Sequence, residues 1–77
     1  MFLNVNVVSS CQDGHATNLS DDAGAPITIN TDQIAFIRSH TAGAAATEIG
    51  ISGTIMFVRE TRDAILAAAQ IHPIDVA

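Results

Sequence analysis

Lysine, tryptophan and tyrosine are absent from this chain, and cysteine occurs once. Each absence excludes something. Without lysine, the cations are Arg38, Arg59 and Arg62, set against eight acidic residues for a net charge of −5. Nucleic-acid binding rests on cations meeting phosphates, so this balance argues against broad contact with DNA or RNA. A lone Cys11 cannot form an internal disulfide, which suits a reducing compartment. Aromatic residues make up only 4% of the chain, so valine, isoleucine and leucine must fill the core. No apolar run approaches the roughly 20 residues that span a bilayer. The first residues lack the basic and apolar regions of a secretory signal. These absences predict a soluble, cytoplasmic protein.

What is present is a pattern of short strands. The 77 residues allow one domain, 1–77. A domain this size buries only about 60% of its unfolded surface, so association of copies is the expected source of further burial. Leu3, Val5 and Val7 alternate with Asn4 and Asn6, the period of a half-buried strand. Asp13-Gly14 supplies a tight turn, and the chain returns through His15–Leu19. Asn18–Pro26 reads as a loop rich in turn residues. Ile27–Asn30 is a short strand, and Asn30-Thr31-Asp32 is a bend whose Asn and Asp bond back to backbone amides. Ile34, Phe36 and Arg38 share one face of the next strand. Ser39–Ala46, small and aperiodic, reads as a flexible hairpin loop, with a short helix through the alanines as the competing reading.

The stretch Thr47–Gln70 anchors the chain. Ile49 and Ile51 mark a strand, Ser52-Gly53 a two-residue turn, and Thr54–Arg59 a strand apolar on both faces. That two-sided pattern predicts a central or doubly covered strand. Thr61 is a good N-cap and Asp63 suits the first turn of a helix. The helix is expected over about 61–71, with Ile65, Leu66 and Ala69 as its packing stripe. Pro73 stops it, leaving Ile74–Val76 to cap the core or pair with a neighbour. The fold class is α+β: a small antiparallel sheet of four to five strands with one C-terminal helix, packed as an oligomer.

Candidate chemistry is sparse. Cys11, Asp13 and His15 would share one side of an extended strand, and with Asp21 or Asp22 could ligate zinc. A turn at Asp13-Gly14 destroys that shared side, and the spacing matches no standard zinc pattern. Cys11 could act as a nucleophile only if His15, His40 or His72 met it in space. No set of catalytic roles can be filled, so neither an enzyme nor a cofactor is expected. Arg59, Thr61 and Arg62 cluster where a helix begins and could hold a phosphate or carboxylate. Arg38, His40 and the Gly43 loop would close that anion site. The competing reading pairs these arginines with Glu48, Glu60 and Asp63 at the surface, where such pairs contribute about 0–1 kcal/mol.

Ile27-Thr-Ile-Asn30-Thr-Asp-Gln-Ile34, a following Ile-x-Ile strand, a turn glycine and Phe57-Val-Arg-Glu-Thr61-x-x-x-Ile65 together resemble the small FlbD/SwrD-type flagellar proteins and related short phage proteins. The resemblance covers about Ile27–Ile71. It implies strand, turn, strand and short helix. This chain departs from the pattern in its loop Asn18–Pro26, its alanine-rich segment and its lack of lysine. Arg59-Glu60 also matches the Val-x-Arg-Glu of CsrA-type RNA-binding regulators, but the basic first strand of that family is missing.

The sequence therefore predicts a non-enzymatic acidic adaptor or regulator acting through protein contacts as a homo-oligomer, in the manner of a phage-encoded inhibitor. Its expected partners are further copies of itself and a basic protein surface. The alternative is a binder of an anionic small molecule or nucleotide at the strand–helix junction, and a third reading is a Cys/His metal or catalytic protein.

Overall fold

A computed structural model describes residues 1–12, 15–18 and 24–71, with 15–18 and Ala42 described in backbone only. Six strands form one antiparallel sheet: β1 (Phe2–Gln12), β2 (His15–Asn18), β3 (Ala25–Asn30), β4 (Ile34–Ala42), β5 (Ala45–Ile51) and β6 (Thr54–Val58). A 3₁₀ turn, Thr31–Gln33, joins β3 to β4, and one helix, α1 (Arg62–Ala68), follows β6. The lateral order is β2-β1-β6-β5-β4, with β3 also paired to β1. Residues 9–12 of β1 pair with β2, and residues 2–7 pair with β3. Those two short strands lie end to end along one side of β1, so the sheet is five positions wide. This is the α+β fold the sequence predicts. No described helix is long and apolar enough to cross a membrane.

The core fills one side of this sheet. Val5, Val7, Ile29, Ile49, Ile51, Val58 and Ile65 form a single buried cluster. Each fully buried Ile or Val contributes about 1.5–3 kcal/mol relative to exposure. Leu66 and Ala69 bury the rest of the helical stripe, as their spacing with Ile65 requires.

The helix is well bounded. The hydroxyl oxygen of Thr61 accepts from Ala64 N at 3.2 Å, satisfying one orphan amide of the first turn. At the other end Ile71 N donates to Leu66 O and Gln70 N to Ala67 O. Gln70 adopts φ 57°. This is a Schellman closure with a left-handed residue that is not glycine.

Two segments expected as loops are strand instead. The hairpin expected across Ser39–Ala46 is present, but its loop is shorter: all but Gly43 and Ala44 lie in β4 and β5. Ala42 pairs with Ala45 across a two-residue turn, and Gly43 takes φ 58°. Pairing along the hairpin overrides the weak local preference of alanine. Ala25 and Pro26, placed in the Asn18–Pro26 loop, belong to β3. Pro26 lies opposite Asn6, and the backbone N–H and C=O of Asn6 are turned the other way, to Glu60 and Arg59. No ladder bond is missing there, so proline is tolerated in an edge strand. The Asp13-Gly14 turn and the Ile74–Val76 tail lie outside the described residues.

Turn chemistry at Ser52-Gly53 is as expected. Both residues have positive φ, 47° and 79°, the geometry of a type I′ hairpin turn.

Candidate functional site

A bulge decides which side chains of β4 face the core. The pairing with β5 shifts register between Ile34 and Phe36, leaving Ala35 as an extra residue. In a regular strand Ile34 and Ile37 would project to opposite sides. With the bulge, both pack against the buried cluster. Phe36 and Arg38 then project to the outer side. The expectation that Ile34, Phe36 and Arg38 share a face is thus corrected: Ile34 turns inward.

On that outer side four residues interlock. Phe36 pairs with Gly50 and Arg38 with Glu48, directly across the β4–β5 ladder. The Phe36 ring lies on the bare backbone of Gly50, where an added Cβ would sit 2.8 Å from the ring Cζ. The Arg38 guanidinium stands 5.8 Å from the centroid of the same ring and donates to Glu48 Oε2. The arginine side chain is 67% exposed, whereas that of Glu48 is 7% exposed. A carboxylate projecting away from the core is therefore buried, with a mostly exposed cation as its partner. Two residues along β4, the half-buried His40 ring lies 5.1 Å from Phe57, tilted by 52°. Ile55 and Phe57 of β6, with Ser9 and Cys11 opposite them on β1, complete this face.

The face mixes apolar Phe36, Ile55 and Phe57 with polar Arg38, Glu48 and His40. β6 is central, as its two-sided apolar pattern predicts. Its inner side meets the core, while Ile55 and Phe57 on its outer side are half-buried, with the His40 ring against Phe57. Phe36 remains 41% exposed.

The junction between β6 and α1 is held rigidly. Glu60 accepts from Asn6 N and from Asn6 Nδ2, both at 2.8 Å. Arg59 N donates to Asn6 O at 3.0 Å, and Thr47 Oγ1 donates to Glu60 O at 2.6 Å. A register shift between Val7 and Ser9 on β1 sits directly beside this clamp.

The residues expected to form one anion site are distributed over the fold. Arg38 and His40 share the outer side of β4, and Arg38 is engaged by Glu48. Thr61 is occupied as the N-cap. Arg59 follows β6 beside Asn6, with its Cδ close to Gly24. Arg62 instead lines a groove of about 280 Å³ between β4 and α1. Gly43 is the tip of the β4–β5 turn. Cys11 is a half-buried thiol on the outer side of β1. Asp13 and the His15 side chain lie outside the described residues, as do Asp21 and Asp22. Among the described residues no group of three or more His, Cys, Asp or Glu converges.

Sequence reasoning did not find the quartet of Phe36, Arg38, Glu48 and Gly50. A signal existed. Had Gly43-Ala44 been read as a two-residue turn, counting back along both strands would set Arg38 near Glu48, an opposite-charge cross-strand pair.

No protein-family model, no curated protein and no solved structure matches this chain.

Proposed function

We propose that this chain is a small, non-enzymatic cytoplasmic adaptor or regulator that works through protein contacts as a homo-oligomer. The outer face of β4, β5 and β6 is the self-association surface. The carrying observation is that β6 is apolar on both sides, with half-buried Ile55 and Phe57 and the 41% exposed Phe36 ring together on the side away from the core. Apolar side chains grouped and partly exposed on one face favour an interaction site there.

A second copy fits this surface on charge. The chain carries −5, so two copies repel at a distance. On the outer face, however, Arg38 and Glu48 neutralise each other. The highly exposed carboxylates of Asp32 and Asp63 lie in the 3₁₀ turn and in α1. Copies meeting face to face bring together apolar, locally neutral surfaces. The free edges are less suited to pairing: Pro26 guards β3 and two register shifts interrupt β4.

Size-exclusion chromatography with light scattering at micromolar concentration tests this reading. The expected result is a defined oligomer that Phe36→Ser dissociates while the far-ultraviolet circular dichroism spectrum is kept. A well-folded monomer for the unaltered chain would overturn it.

A further inference from the structure

We infer that the groove between β4 and α1 binds a small apolar carboxylate, held by the Arg62 guanidinium. Its floor is aliphatic: Ile34 and Ile37 from β4, Leu66 and Ile71 from the helical end, with Phe36 at the margin. Only two polar residues line it, Thr31 and Arg62. The Thr31 hydroxyl already donates to Met1 O at 3.1 Å, which leaves Arg62 as the charged contact.

The arginine is suitably poised. Its side chain is 37% exposed, and its ion pair to Asp63 spans 3.9 Å to a carboxylate that is itself 97% exposed. Water screens such a pair almost fully. A carboxylate arriving within the groove gives the guanidinium a bidentate partner in a drier setting. The contact is this side chain and not the helix terminus, because the Ala64 amide is taken by Thr61.

The groove of about 280 Å³ is open at the surface, so an aliphatic chain can lie along its floor with the carboxylate at Arg62. A second groove, between β3 and the β5–β6 turn, encloses about 290 Å³. Its polar lining is neutral, comprising Thr28, Asn30, Gln33, Ser52 and Thr54. Of these two grooves, the β4–α1 groove joins an apolar floor to a cation and so favours an anionic amphiphile.

The test is titration of the full chain with octanoate, followed by amide chemical shifts. Saturable shifts at Thr31, Ile37, Leu66 and Ile71 are expected. Arg62→Gln should weaken binding at least tenfold, while Arg59→Gln, outside the groove, should leave it unchanged. Octylamine, equal in length and opposite in charge, should not bind, and neither should inorganic phosphate. The proposal is overturned if octanoate gives no saturable shift, if its shifts map to the β3 groove, if Arg62→Gln binds as tightly as the unaltered chain, or if octylamine or phosphate competes equally.

Discussion

Replacing Glu60 separates the contribution of one clamp from the rest of the fold. Its carboxylate accepts two hydrogen bonds from Asn6, at 2.8 Å each. Bonds to a charged acceptor contribute about 1.5–3 kcal/mol apiece. The site is only partly buried and the two bonds share one acceptor, so a simple sum overstates the effect. Glu60→Ala should cost about 2–4 kcal/mol, because the Asn6 amide loses its partner while Pro26 opposite it on β3 offers none. For 77 residues, total stability is about 4–12 kcal/mol. The substitution should therefore lower Tm by roughly 10–25 °C. Glu60→Gln should cost only about 1 kcal/mol: its carbonyl accepts from Asn6 N, and its amide donates to Asn6 Oδ1 once that side chain flips. The chain lacks tryptophan, so urea denaturation is best followed by circular dichroism. A Glu60→Ala loss below about 0.5 kcal/mol would refute the clamp. Equal losses for both variants would show that charge, not the two-bond geometry, carries the effect.

Three further outcomes are expected. Arg38→Ala should destabilise by about 1–3 kcal/mol by leaving the Glu48 carboxylate buried without its cation, whereas Glu48→Met should be nearly neutral; urea curves showing the reverse order would sink this account. Gly50→Ala should cost about 1–3 kcal/mol as the new methyl lifts the Phe36 ring, and the pair Gly50→Ala with Phe36→Ala should recover part of it; strictly additive losses would mean the ring contact is not responsible. Gln70→Gly should raise stability by about 1 kcal/mol, since glycine takes the left-handed angle without steric cost; an unchanged or lower melting temperature would contradict this.

Much of the fold was legible because side-chain periodicity and burial coincide. Alternation of Leu3, Val5 and Val7 located β1, and Ile49 with Ile51 located the inner side of β5. Thr61 and the Ile65, Leu66, Ala69 spacing located α1. Turn chemistry placed Ser52-Gly53 correctly. The failures share a cause: they depend on a neighbour rather than on local preference. Ser39–Ala46 has no period of its own and becomes strand through the ladder between β4 and β5. Ala35 carries no mark of a bulge, yet the bulge decides that Ile34 faces inward. Pro26 looked like loop, and its place in β3 depends on Asn6 turning its backbone groups toward residues 59 and 60. The outer quartet was hidden by the same error, because a loop over 39–46 leaves the register of Arg38 against Glu48 unset.

The position of β1 also orders events during synthesis. Asn6 and its clamp Glu60 are 54 residues apart. At about 5–20 residues per second, the strand waits roughly 3–10 s for that partner. Meanwhile β2 and β3 can pair along one side of it, while β4, β5 and β6, joined by two-residue turns, form a meander of local contacts. Closure of β1 onto β6 is then the late, long-range event, made when the last residues of the meander and the start of α1 have been added. A nascent chain stopped just before residue 54 would hold two separate pieces of sheet, β1 with β2 and β3, and β4 with β5, because β6 joins them.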